Sequence, residues 1–419
     1  MIKLSEIIVS TSENLRGSVQ ISGSKNSALP VIAAAIAVSG KTSIKNIPSL
    51  SDVASMLDIL VSLGCNIHRE SDRVEIVSDK INNLIAPYDM VLRLRASFLV
   101  SGAMLARFGY ARISQPGGCA IGSRPVDLHL KGFALMGADI SKGCGYIELS
   151  AKKLSGAVIY LDFPSVGATE NLMIAACLAN GQTEIVNAAT EPEVADLAKF
   201  LVSCGADIKG VGTEHIIIKG KDTLKGCEYS IIPDRIEAGT YMIAAAITRG
   251  NIDVMNICSE HLTPVTAKLK EMGVCVTDNE ESIHVCGSKE ILPVSIKTMP
   301  HPGFPTDMQS LFASLMCYAS GTSMITETIF ENRFMHLAEL SRMHANIRID
   351  GRSAVIEGTR SLDGASVMAT DLRAGAALAL AGLNASGYTK ISNAQLIERG
   401  YEDFVGKLQN LGANIEYSN

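Results

Sequence analysis

The segment SQPGGCAIGSRPVD, residues 114–127, places a thiol, Cys119, in a glycine-rich turn, with Arg124 five positions further on. A free thiol titrates near pH ~8.5, and a neighbouring cation lowers that value. Cys119 could therefore lend a proton near neutral pH or attack as a thiolate, from a loop whose glycines let it close over a ligand. Other cysteines read as structural: Cys65, Cys204 and Cys275 sit in a recurring core-like signature, and Cys177 and Cys317 lie in apolar helical stretches. Cys144 and Cys227 also neighbour glycines, so glycine context alone is a weak signal and Arg124 is what sets Cys119 apart.

A second set of residues points to anions. Six Ala-rich, helix-like stretches begin with polar or charged clusters: Lys25-Asn26, Arg95, Thr169-Glu170, Asp234-Arg235, Thr306-Asp307 and Asp371-Leu372-Arg373. Ser, Thr and Asp at such places cap helices. Capping does not account for Lys25, Arg95, Arg235 or Arg373, because a cation at a helix start opposes the dipole at a cost of a few tenths of a kcal/mol or more. Helix starts also offer free N–H groups to anions. Four such cations predict a site for something multiply negative.

The elements that position these residues repeat. LGCNI (63–67) returns as MGADI (136–140), CGADI (204–208), MGVCV (272–276), MHANI (343–347) and LGANI (411–415), about seventy residues apart each time. A repeat of this kind is read before anything else. Each copy follows two helical stretches. The first is apolar nearly all round, as in KNSALPVIAAAIAVSG, and so belongs inside a shell. The second is one-sided: Val194, Leu197, Ala198 and Leu201 fall at i, i+3, i+4 and i+7. Short strands flank both. Six units divide as three plus three near GCEYSIIPDR, giving two α/β domains facing a cleft. The strand SEIIVS crosses back, so the expected domains are 20–230, carrying the Cys119 loop, and a discontinuous 1–19 with 231–419.

Totals exclude several classes. A chain of 419 residues is too long for one core, and 47% hydrophobic with 19% charged residues reads as well packed. A net charge of -6 argues against a nucleic-acid binder. No apolar run approaches the ~20 residues of a spanning helix, so no membrane role is expected. The start MIKLSEIIVSTSENLRG lacks a signal-peptide pattern, and ten cysteines without a CxxC pair fit a reducing cytoplasm. The eight histidines show no metal-ligand spacing, so neither metal nor cofactor is expected.

The motifs SGSKNSALP (22–30), PGGCAIGSRPVDLH (116–129), SVGATEN (165–171), PDRIEAGT (233–240), HPGFPTDMQ (301–309), ENRFMH (331–336), ATDLRA (369–374) and ERGYE (398–402) make the chain resemble the enolpyruvyl transferase family, in particular its members that act on UDP-N-acetylglucosamine. The resemblance implies two inside-out α/β barrels, each of three βαβαββ units, with the active site between them. It implies transfer of enolpyruvyl from phosphoenolpyruvate to the sugar 3'-hydroxyl by addition–elimination, with release of phosphate, as the first committed step of peptidoglycan precursor synthesis. Cys119 would then be the acid toward C3 of phosphoenolpyruvate. Lys25, Arg124 and Arg399 would cage its anionic groups, with Asn26 beside them, and Asp307 would take the hydroxyl proton. Arg95, Arg124, Pro125, Val126, Asp127, Leu128, Ser165, Val166, Gly167 and Ile329 match contacts to the UDP-sugar. Phe163 stands where some members carry lysine, so the likeness does not extend to a diphosphate contact there. Arg235, Arg333, Asp371 and Arg373 read instead as ion pairs holding the domains in register.

Three alternatives compete with this reading. A 5-enolpyruvylshikimate-3-phosphate synthase would carry serine in place of Asn26 and lack the PGGC loop. A nucleic-acid clamp would need basic inner helices. An inactive regulatory paralogue would not need Lys25, Cys119, Asp307 and Arg399 together. In a phosphate-release assay, Cys119→Asp should keep substantial activity and Cys119→Ser should lose most of it; full turnover by the serine variant removes the acid role.

Overall fold

Six helices are buried along nearly their whole length: Lys25–Ala34, Val100–Phe108, Val166–Ala176, Arg235–Thr248, Gln309–Met316 and Leu372–Gly382. Their sequences are dominated by Ala, Leu, Ile and Met, and a helix apolar on all sides is stable only when surrounded. The computed structural model describes residues 5–114, 126–143 and 145–418, which group into two units, 5–22 with 233–418 and 23–114 with 126–232. Within each unit three of these helices pack on one another, and the sheets lie around them.

The third repeat shows the unit. Strand Val158–Tyr160 leads to the inner helix Val166–Ala176, then strand Gln182–Val186, the outer helix Pro192–Ser203, and strands Asp207–Lys209 and His215–Lys219. The first two strands pair in parallel, Ile159 opposite Ile185, while Ile185 faces Ile216 and Ile208 faces Ile218 in antiparallel pairs. Ile159, Ile185, Ile216 and Ile218 are buried and Val158 and Tyr160 exposed, the period-two pattern of a sheet with one wet face. On the outer helix Val194, Leu197, Ala198 and Leu201 are all buried.

Three repeats are completed by chain from elsewhere. Strand Glu6–Ser10 lies between Tyr388–Ser392 and Ile415–Ser418, and Arg16–Gln20 runs parallel to Asn251–Met255. The N-terminal segment thus supplies the last strand of the sixth repeat and the first strand of the fourth. Glu228–Ser230 does the same for the first repeat, parallel to Lys41–Lys45. The second repeat departs from the pattern: its sheet has three strands among the described residues, and a single parallel bridge, Ile85 to Arg112, stands where a first strand would run.

The inner helices approach closely. At Gly102 a Cβ would lie 2.3 Å from Asn171 Oδ1 and 2.5 Å from the Asn171 carbonyl oxygen. The reward is a buried network. Asn171 Oδ1 accepts the Gly102 N–H at 2.9 Å, and Nδ2 reaches the Phe98 carbonyl at 3.1 Å and Ser101 Oγ at 3.0 Å. One expectation fails here: Cys275 is exposed, not core, because its side chain points to the wet face of strand Cys275–Asp278. Gly102→Ala should destabilise the protein by about 1–3 kcal/mol in chemical denaturation, the usual cost of overpacking a closed core.

Candidate functional site

In the unit of residues 23–114 and 126–232, Ser24 caps the helix that Lys25 begins, accepting the Ser27 N–H at 3.4 Å. Lys25 is only 8% exposed, so it is not a solvated surface lysine. Its Nζ lies 3.4 Å from Asp52 Oδ2, on the first turn of helix Ser51–Leu63. That carboxylate is the protein's own answer to a buried ammonium, which is costly unless paired. Asn26 beside it is half-buried. Arg95, half-buried, opens the short turn Arg95–Leu99, against which helix Lys25–Ala34 packs.

Val126 is buried and precedes helix Asp127–Leu135. Leu128 packs on the core, whereas Asp127 is exposed, 3.5 Å from Lys142. Ser165 caps helix Val166–Ala176 by accepting the Ala168 N–H at 3.3 Å. The N–H groups of Val166 and Gly167, at the start of that helix, have no intrahelical partner. Cys119, Arg124 and Pro125 lie outside the described residues.

Behind these residues sits a buried acid, Glu170, with Glu191 and Glu193 as neighbours. Burial first, then the charges of Glu193 and Glu191, push the Glu170 carboxyl well above the usual carboxylate range. Glu170 stands among the polar residues at a helix start, and its protonation depends on acids more than twenty positions away that only packing brings near.

In the other unit, Asp307 lies in the turn Thr306–Met308, whose N-cap is Pro305. Neither Thr306 nor Asp307 caps the helix. Thr306 donates instead to Glu327 Oε2 at 2.8 Å, and Glu327 Oε1 accepts the N–H groups of Ile329 at 2.8 Å and Phe330 at 3.2 Å. One buried carboxylate thus fixes both the Asp307 turn and Ile329. Arg333 Nη2 donates to Asp307 Oδ1 at 2.7 Å, and Arg373 Nη2 stands 3.8 Å from Oδ2. Arg333 and Arg373 flank Asp307 within one unit. Arg373 is fully buried over the Tyr401 ring, 5.0 Å from its centroid. Arg399, half-buried, ends the turn Ala394–Arg399. The next residue, Gly400, is so close to Arg373 that a Cβ there would lie 3.4 Å from its Nη1. Asp307 thus sits between two arginines, and Arg399 precedes a glycine that packs against one of them. Among the described residues no group of three or more His, Cys, Asp or Glu side chains could hold a metal ion.

The profile of the EPSP synthase (3-phosphoshikimate 1-carboxyvinyltransferase) family matches residues 9–408. The chain belongs to this family of enolpyruvyl transferases. A relative from Caldanaerobacter subterraneus, named UDP-N-acetylglucosamine 1-carboxyvinyltransferase 1, is 54% identical over 98% of this chain and 99% of its own. One from Carboxydothermus hydrogenoformans, named UDP-N-acetylglucosamine 1-carboxyvinyltransferase 2, is 52% identical over 99% of each. Among solved structures, the enolpyruvyl transferase NikO from Streptomyces tendae superposes with a TM-score of 0.89 at 26% identity over 99% of both chains. An EPSP synthase from Acinetobacter baumannii shares the fold at a TM-score of 0.80 and 20% identity over the full length of both. The two-domain inside-out α/β architecture is that of this family.

The folded protein holds a proton on Glu170 that the unfolded chain releases above pH ~4.3. Stability should therefore fall as pH rises past that value, toward the raised folded value. Glu170→Gln keeps the neutral shape and should flatten this slope above pH ~4.3, read from denaturation midpoints.

Proposed function

We propose that this chain transfers the enolpyruvyl group of phosphoenolpyruvate to the 3'-hydroxyl of UDP-N-acetylglucosamine, releasing phosphate, as the first committed step of peptidoglycan precursor synthesis. The observation that carries the reading is full-length identity of 52–54% to relatives named for that transfer. In the reaction, Cys119 gives a proton to C3 of phosphoenolpyruvate while the sugar oxygen bonds to C2. Asp307 takes the hydroxyl proton. The tetrahedral adduct then loses a proton from C3 as the C2–O bond to phosphate breaks, restoring the double bond.

Lys25, Arg124 and Arg399 bind the phosphate and carboxylate of phosphoenolpyruvate, with Asn26 beside them. Arg373, and Nη1 of Arg333, have nitrogens with no hydrogen-bond partner among the described residues. Buried guanidinium N–H groups of this kind suit a planar anion. Arg95, Arg124, Pro125, Val126, Asp127, Leu128, Ser165, Val166, Gly167 and Ile329 hold the UDP-sugar. Between its two arginines Asp307 is a fixed acceptor, so its main contribution is to aim the sugar hydroxyl.

No described helix is long and apolar enough to cross a membrane. The reaction is placed in the cytoplasm, where free thiols such as Cys119 persist. Through the cell wall it would bear on cell shape and division.

The test is phosphate release with each substrate alone and with both. Release should require UDP-N-acetylglucosamine and phosphoenolpyruvate together; release with shikimate-3-phosphate in place of the UDP-sugar would sink the proposal. Asp307→Asn should still bind the UDP-sugar and turn over about 10²–10⁴-fold more slowly, and normal turnover would remove Asp307 from the mechanism.

A further inference from the structure

We propose that His129 donates a hydrogen bond from its Nε2–H to the diphosphate of the UDP-sugar, beside the N–H groups that open helix Val166–Ala176, and that Asn171 fixes the imidazole in the tautomer this requires. The inference rests on the function proposed above and adds a residue to its sugar-nucleotide site.

The tautomer follows from obligatory donors and acceptors. Asn171 Oδ1 faces the Gly102 N–H at 2.9 Å, which can only donate, so the amide orientation is settled. Its Nδ2 therefore donates, and His129 Nδ1 lies 3.0 Å from it. A proton on Nδ1 would face an N–H group with no acceptor between them. Nδ1 therefore carries no proton, and the proton of the neutral ring sits on Nε2. The ring is held in place: it packs edge-on against Phe98, centroids 5.2 Å apart, and the residue is only 9% exposed.

Nε2 has no hydrogen-bond partner among the described residues. It points toward the helix start: a Cβ on Gly167 would lie 3.6 Å away. Glycine keeps that space open, and the free N–H groups of Val166 and Gly167 border it. Arg95 acts on the same ring electrostatically. Burial first, and then Arg95, lower the His129 pKa to about 3, so the imidazole binds as a neutral donor at ordinary pH. Phe163, just before the capping Ser165, is exposed and cannot donate. A diphosphate at this helix start therefore depends on backbone N–H groups, Arg95 and His129.

Calorimetric titration of wild type, His129→Ala and His129→Gln with uridine, UDP and UDP-N-acetylglucosamine tests this. Loss of a hydrogen bond to a charged group should weaken both diphosphates about ten- to a hundredfold in His129→Ala and leave uridine unchanged. Glutamine presents an amide N–H near the position of Nε2, so His129→Gln should recover most of the loss. Equal weakening of uridine and UDP, unchanged UDP affinity in the alanine variant, or no recovery with glutamine would overturn the proposal and leave the enzymatic reading intact. Failure of the wild type to bind either diphosphate would sink both.

Discussion

A helix enclosed on every side by apolar neighbours has only its ends left for polar chemistry. The two units of this protein are each built around three such helices. Their flanks are Ala, Leu, Ile and Met, and their starts carry the acceptors that satisfy the first N–H groups: Ser24, Ser165, Asp234 and Asp371. The inside-out arrangement therefore does two things at once. It buries the core in the helices, and it collects free N–H groups and charged side chains at the helix starts. An anion is the natural guest of such a place.

Charge placed there has to be paired in the interior, and the pairing sets the geometry. Lys25 has Asp52, and Arg333 and Arg373 have Asp307. Removing one member of a buried pair costs about 3–5 kcal/mol, because the other charge is stranded. The same pairs hold the reactive side chains at fixed positions. Asp307 is held by two guanidinium groups, its turn is tied down through Thr306 to Glu327, and Glu327 also fixes Ile329. Polar groups that could have been spent on capping are instead spent on aiming. That explains why Asp307, at a helix start by sequence, is not a cap.

Parts of this were legible in the residues. The recurring signature gave the number of repeats, because short copies can be compared along the chain, and the all-round apolar stretches gave helices with no wet face, a local pattern read over ten to twenty positions. The buried face of helix Pro192–Ser203 follows its spacing, though its Glu193 and Asp196 are buried as well, which spacing does not convey. Cys275 is exposed for the opposite reason: a shared signature does not say which strand face a residue occupies.

The amino-acid sequence alone determined the six-fold repetition, the apolar inner helices and the presence of cations at their starts, since each depends on neighbours along the chain. Only the tertiary structure decided which acid meets which cation, which distant strand completes the first and fourth repeats, and which way His129 faces. Those are contacts between residues far apart in sequence, chosen by how the helices and sheets close on one another, and no local pattern encodes that choice.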